Sequence, residues 1–233
     1  MIKIVKCVVL ALFVFNAPIV NAQEEVNSLV KRVSDKIAKV NNYEASGKMK
    51  TNVTFLKVPE STVKIYFKKP DRLKIKNEKG ISFVPKGAVS INLSSILNGH
   101  KYTALDAGTT KMGSSVLRVV KLLPEDDNGE VVLSTLYIDE KNLVIKLAKT
   151  TTRTNGSYQL EMTYGKYIAY GLPDKINFTF NTKDYKLPKG VTFDFDDGAA
   201  TKKPVADADK NKGTAEIIFN SYSINKGVAD SVF

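Results

Sequence analysis

Residues 24–41 place Val26, Leu29, Val30, Val33, Ile37 and Val40 at three- and four-residue steps with charges between them. That spacing predicts an amphipathic helix with one apolar face to bury. From Tyr43 the period changes to two. Tyr43, Ala45, Gly47, Met49, Val53 and Phe55 alternate with polar residues, which predicts a long strand buried on one side. The next stretch, VKIYFKKPDRLKIK at 63–76, alternates twice about a proline. A two-residue turn at Pro70 and Asp71 would set Phe67 against Lys74 and mix apolar with charged positions. A three-residue loop, 69–71, sets Phe67 against Leu73 and Ile65 against Ile75. Residues directly opposite share a face, so the second register is expected. Its other face then carries Lys64, Lys68, Arg72, Lys74 and Lys76, with Lys68 opposite Arg72 and Lys64 opposite Lys76. Such a face has to be well solvated or meet something acidic.

Further short strands are expected at Ile81 and Phe83 and over 131–138, 143–152, 158–164, 175–181, 191–196 and 215–224, separated by turn signals. Short connections between consecutive strands, with no βαβ alternation, argue for an antiparallel meander. Two intervals read as helices. Residues 90–99 contain LSSIL, and 114–123 read SSVLRVVKLL, with a serine N-cap candidate and apolar residues over most of the circumference. Residues 197–213 lack apolar periodicity and read as a loop.

The apolar positions Val53, Phe55, Ile65, Phe67, Leu73, Ile75, Phe83, Leu133, Leu143, Ile145, Leu160, Met162, Phe178, Phe180 and Phe193 would line one side of a single sheet. One sheet cannot bury its own face unless it curls. The expected fold is therefore α+β and mainly β: a single strongly curved antiparallel sheet, an incomplete β-barrel, closed by the N-terminal helix and the short helices. The pattern leaves open whether its interior is packed solid or holds a ligand.

Composition adds a compartment. Lys3 and Lys6, an apolar run from Cys7 to Phe15 and the small residues before Gln23 make residues 1–22 a secretory signal. The run is shorter than the roughly 20 residues that span a bilayer. One domain, residues 23–233, is expected to follow. Cys7 is the only cysteine of the sequence, so residues 23–233 hold themselves together by a hydrophobic core rather than by disulfides. Residues 23–122 carry 19 Lys+Arg against 8 Asp+Glu, a net +11, and residues 123–233 carry 14 against 16, a net −2. A basic first half favours acidic partners or an anionic membrane surface, and an export signal without a nucleic-acid motif argues against nucleic acid.

Catalytic and metal chemistry is not apparent. His100 is the single histidine and no Gly-x-Ser-x-Gly elbow is present. A zinc site of His and Cys ligands fails by count. Asp207 to Gly213 is only superficially like a calcium loop, because its glycine is one place late and Ile218 stands where a bidentate glutamate is needed. No metal, no cofactor and no catalytic residue are expected.

The order of signal, amphipathic helix, long strand, the hairpin around Lys69, Pro70, Asp71 and Arg72, and the LYIDEKN segment with Leu136, Tyr137, Ile138 and Asp139 resembles the LolA-like group of periplasmic outer-membrane lipoprotein carriers. The resemblance runs by order of elements over nearly the whole of residues 23–233. The chain departs from the group in having no tryptophan and in the added loop 197–213, and Arg72 carries over only as part of the hairpin motif. The resemblance implies an incomplete barrel with a helical lid over a hydrophobic cavity that takes acyl chains. On that basis the expected function is a periplasmic carrier of lipoprotein acyl chains or other lipids, and not an enzyme. It would take cargo from an inner-membrane donor, deliver it to an outer-membrane acceptor, touch membrane surfaces transiently and work as a monomer. Val116, Leu117 and Val120 are the expected lid contacts, and the basic hairpin face the expected docking face. The alternatives are a lipid-sensing module of the same fold acting on an envelope regulator, and a secreted hydrolase.

Overall fold

The computed structural model describes residues 19–53, 56–57, 60–77, 97, 101–154, 156–181 and 212–233. The elements in chain order are α1 (Ile19–Ile37), β1 (Asn42–Val53), β2 (Leu56–Lys57), β3 (Ser61–Lys68), β4 (Arg72–Asn77), β5 (Tyr102–Met112), β6 (Ser115–Pro124), β7 (Val131–Asp139), β8 (Val144–Thr152), β9 (Ser157–Thr163), β10 (Lys175–Asn181) and β11 (Lys212–Ile224). A short 3-10 turn, Ile168–Tyr170, precedes β10, and another, Asp230–Val232, follows β11.

All the strands join in one antiparallel sheet that is not closed. Its order is β4-β3-β1-β11-β10-β9-β8-β7-β6-β5, with β2 paired to β1. Strand β1 enters at an inner position, and β3 and β4 run out to one edge. The chain next appears at the far edge as β5 and meanders back until β11 closes on β1. The β3–β4 register is the one expected from the alternation: Phe67 opposite Leu73, Ile65 opposite Ile75, Lys68 opposite Arg72 and Lys64 opposite Lys76. Strand β10 has the bounds that its alternation predicts.

Helix α1 lies across the meander half. Val26, Leu29, Val30 and Val33 are buried to 2% exposure or less, in one core with residues of β5 to β11 such as Val120, Leu136, Ile145, Leu160 and Phe178. Of the side chains whose spacing predicts the helix, Val26, Leu29, Val30 and Val33 touch the sheet, but α1 ends at Ile37, so Val40, expected within it, lies in the link to β1. The β1–β3 side has a second cluster of Ala45, Met49, Val63, Ile65 and Ile217, not covered by the helix in the same way. At Ser46 and Gly47 the β1–β11 register shifts, Ser46 facing Ser221 and Gly47 facing Phe219, a bulge with Asn220 of β11 as its extra residue.

Three expectations are corrected here. Residues 115–124 form strand β6 and not a helix. Leu117, Val119, Val120 and Leu122 are all buried, and because adjacent residues of a strand point to opposite faces, β6 is covered on both. A short apolar run of that kind cannot be told from a buried helix by periodicity. The deciding signals were the β-branched Val116, Val119 and Val120, and Gly113 with Ser114, which form a two-residue loop joining Met112 to Ser115 with φ +58 at the glycine. Strand β5, weakly alternating, was missed. Leu133 is half-buried on the face opposite Leu136 and Ile138. Register shifts in the β7–β8 ladder and an inward serine hid the true phase; Ser134 is accommodated by a 3.1 Å hydrogen bond with Thr150.

Lys212 and Gly213, expected in a loop, belong to β11. The rest of residues 197–213, the expected strands at Ile81 and Phe83 and over 191–196, His100, and the expected helix over 90–99 lie outside the described residues. Leu97 is the exception, being helical and packed in the main core. Residues 1–18 of the expected signal also lie outside, and α1 begins within the remainder, at Ile19.

Candidate functional site

Where α1 ends, the sheet face is only partly covered. A cavity of about 60 Å³ opens there, and among the described residues no charged one lines it. One wall is the hairpin's inner face, Ile65 and Phe67 from β3 and Leu73 and Ile75 from β4. The floor is Tyr43 of β1 with Ile217, Phe219 and Tyr222 of β11, and the cover is Ile37 at the end of α1, Val40 in the link that follows it, and residues 171–173. The three-residue hairpin loop is what gives all four wall residues the same side of the sheet.

Aromatic rings brace the floor. Tyr43 lies 5.3 Å from the Phe67 ring and 5.3 Å, edge on, from Tyr222, which stacks on Phe219 at 4.9 Å. Such pairs add to simple area burial and hold their geometry. The Tyr222 hydroxyl donates to the Pro173 carbonyl at 2.8 Å, and the Tyr222 backbone N–H donates to the Tyr167 hydroxyl at 3.4 Å. One residue of β11 thereby holds the covering segment at Pro173 and the chain just ahead of it at Tyr167. Gly171 takes φ +68, and a Cβ there would sit 3.3 Å from Ile37 Cγ1, so the segment closes directly on the helix end. On the helix side, Lys36 Nζ donates to the Asn142 carbonyl at 2.6 Å and Lys69 Nζ donates to the Ala38 carbonyl. Burial pushes the phenol pKa of Tyr43 and of Tyr222 well above the ordinary value, and neighbouring phenols add to the shift at Tyr222. These hydroxyls stay neutral, as an apolar pocket requires.

The structure divides the residues expected to line a cavity. Ile65, Phe67, Leu73 and Ile75 line it. Ile145, Leu160, Met162, Phe178 and Phe180 are instead in the packed core beneath α1, with Leu143 at its margin. Leu133 faces the other way. The side chain of Val53 and all of Phe55, Phe83 and Phe193 lie outside the described residues. None of Val116, Leu117 and Val120 lines the pocket: Val116 is 59% exposed, while Leu117 and Val120 are fully buried. The cover is the helix end and residues 171–173. Nothing in the polarity pattern near Leu172 marks that segment as a cover, because its position depends on the Tyr222 contacts from a strand fifty residues later.

The outer face of the hairpin carries the expected cations, and the chain itself meets several of them. Lys68 and Arg72 both pair with Asp230, at 2.8 and 2.5 Å. Lys64 pairs with Glu44 at 3.8 Å, and Lys76 lies over the Tyr66 ring. Among the described residues there is no cluster of three His, Cys, Asp or Glu side chains suited to a metal, and no helix long and apolar enough to cross a membrane.

No family model and no curated protein matches the chain. Solved structures do match. One is a domain named for outer membrane lipoprotein sorting from Vibrio parahaemolyticus, at TM-score 0.59 and 11% identity over 90% of this chain and 96% of that one. Another is a DUF1329 family protein from Desulfovibrio piger, at TM-score 0.58 and 12% identity over 91% of this chain and 96% of that one. A third is a LolA superfamily protein from Nitrosomonas europaea, at TM-score 0.55 and 9% identity over 89% of this chain and 96% of that one. The fold of this chain is the LolA-like fold.

Proposed function

From a LolA-like fold with an apolar pocket at its helix end, we propose that the chain is a periplasmic carrier that shelters acyl chains of lipoproteins, or of other lipids, and hands them toward the outer membrane. The observation behind this reading is the uncharged pocket between the inner face of the β3–β4 hairpin and the end of α1. Burial alone supplies the binding, at about 0.8 kcal/mol for each methylene removed from water. Covalent chemistry is not required.

Size dictates how the pocket works. The cavity of about 60 Å³ is roughly one-fifth of the ~300 Å³ at which ligand pockets begin. On this reading the cavity is that of a closed state, and an acyl chain enters by displacing Ile37, Val40 and Leu172. The packed core under the first part of α1 stays intact and acts as the hinge side. Cargo release follows when the cover returns, with the closed cavity competing against bound lipid. Export through residues 1–22 would leave a chain starting at Gln23, ahead of the buried helix residues Val26, Leu29, Val30 and Val33.

Native mass spectrometry of protein purified from an envelope extract tests the reading, with a fluorescent fatty acid as a second probe. Acylated species should co-purify. An Ile75→Glu variant, on a half-buried position of the edge strand, should keep the far-UV circular dichroism spectrum while weakening probe binding about tenfold or more. Protein that holds no lipid and takes up no probe would overturn the proposal.

A further inference from the structure

The outer face of the hairpin sets like charges against one another, Lys68 opposite Arg72 and Lys64 opposite Lys76. Pairs of that kind repel unless an anion lies between them. At the first pair an anion is present. Asp230 Oδ1 accepts from Lys68 Nζ at 2.8 Å and lies 2.5 Å from an Arg72 guanidinium nitrogen. Three residues on, the Phe233 ring lies under the same guanidinium, 5.0 Å from ring centre to Arg72 Cζ, and Lys74 Nζ donates to the Phe233 carbonyl oxygen at 3.2 Å. Lys68 and Arg72 thus hold the Asp230 carboxylate, Arg72 also covers the Phe233 ring, and Lys74 holds the Phe233 carbonyl, the ring belonging to the C-cap residue of the 3-10 turn Asp230–Val232.

How the segment is held matters as much as where it sits. It leaves β11 through Asn225 and Gly227. The Asn225 backbone N–H bonds to the Asn42 carbonyl and that of Gly227 to the Asn42 side chain, each at 2.8 Å. Beyond Gly227 none of residues 230–232 is buried, and the Asp230 side chain is 68% exposed. Exposed ion pairs and a surface cation–π contact are weak, exchangeable interactions. The segment therefore occupies the face through its tether rather than through burial, as a local concentration of a weak ligand.

We propose that the outer face of the β3–β4 hairpin is a binding site for an acidic peptide of a partner protein, one that presents a carboxylate and an aromatic ring three residues apart, and that residues 229–233 fill this site in cis until the partner displaces them. A lipid headgroup could meet the cations but offers nothing for the ring's place on Arg72, so a peptide is the occupant that the whole arrangement fits. The site lies on the side of the hairpin opposite the pocket and does not depend on what the pocket holds.

The test uses the full chain and an end-blocked peptide of sequence VADSVF, with VANSVF as control, titrated by backbone amide shifts over residues 64–76. Asp230→Asn, an exposed substitution, removes the cis carboxylate and should bind VADSVF about fivefold or more tighter than the unaltered chain. Arg72→Glu should abolish binding, and VANSVF should bind neither protein. Equal affinity of the peptide for the unaltered and Asp230→Asn chains, or equal binding of VANSVF, would overturn the proposal. So would an Asp230→Asn chain that gains affinity for phosphatidylglycerol vesicles and none for the peptide, which would assign the face to an anionic lipid surface. Fatty-acid probe binding measured on the same samples separates the outcomes: its absence with peptide binding intact counts against the carrier reading alone.

Discussion

Replacing Gly47 by alanine should loosen the seam that joins the hairpin wall to the rest of the sheet. A Cβ at this position would lie 2.5 Å from the Ile218 carbonyl oxygen and 3.3 Å from both Ile218 C and Phe219 Cα, all of them backbone atoms. Ordinary contact begins near 3.4 Å, so the two strands would have to part by about 0.9 Å at the bulge. No flexible side chain is there to give way. Overpacking of this kind costs about 1–3 kcal/mol, and stretching the neighbouring ladder bonds adds roughly 1 kcal/mol. Alanine's lower backbone entropy in the unfolded chain offsets about 0.5–1 kcal/mol. The net loss is about 1–3.5 kcal/mol. At about 2–4 °C per kcal/mol for a chain of this size, the melting temperature should fall by roughly 2–14 °C. Urea denaturation followed by far-UV circular dichroism should show a lower midpoint at an unchanged m-value. A midpoint equal to that of the unaltered chain would mean that β1 and β11 do not approach this closely at the bulge.

Three further outcomes are expected. Val120→Asp places a charge at a fully buried position of β6 and should cost more than about 3 kcal/mol, whereas Val116→Asp, at a 59% exposed position, should stay within about 0.5 kcal/mol; similar urea midpoints for the two would contradict the packing of this strand. Tyr222→Phe removes the hydroxyl that holds Pro173; stability should drop by about 1 kcal/mol and stopped-flow uptake of a fatty-acid probe should quicken, so uptake at the original rate would dissociate that contact from the cover. Burial raises the phenol pKa of Tyr43, Tyr164 and Tyr222 above the ordinary 10.0. The unfolded chain then loses these protons first, so their contribution to stability is complete below about pH 10 and declines above it by roughly 1.4 kcal/mol per pH unit for each tyrosine. Urea midpoints that hold level from about pH 9 to about pH 11 would refute the burial of these hydroxyls.

The local pattern was enough for several elements. The alternation of 63–76 set the hairpin register to the residue, because any slip would put lysine beside phenylalanine on a buried face. The spacing of Val26, Leu29, Val30 and Val33 predicted both α1 and its contact face, and the alternation of 175–181 predicted β10. These are cases in which one side of an element is wet and the other dry. Where both sides are dry, as in β6, polarity carries no phase, and Leu117, Val119 and Val120 read equally well as helix. Leu133 failed for a related reason: register shifts and an inward serine whose hydroxyl is satisfied across the sheet reversed the visible alternation.

The sequence alone also determined the two-faced character of the hairpin, apolar within and cationic without, since that follows from a period of two and a turn length. Only the tertiary structure decided what each face meets. Packing of α1 covers the sheet over β5 to β11, so Ile145, Leu160, Met162, Phe178 and Phe180 became core and the open space lies at the helix end. There the cover comes from Ile37, Val40 and Leu172, held by a Tyr222 contact that joins residues 49 positions apart. On the outer face Asp230 reaches Lys68 across 162 residues. Contacts of that separation arise when strands from distant parts of the chain become neighbours in one sheet, and no local periodicity encodes them.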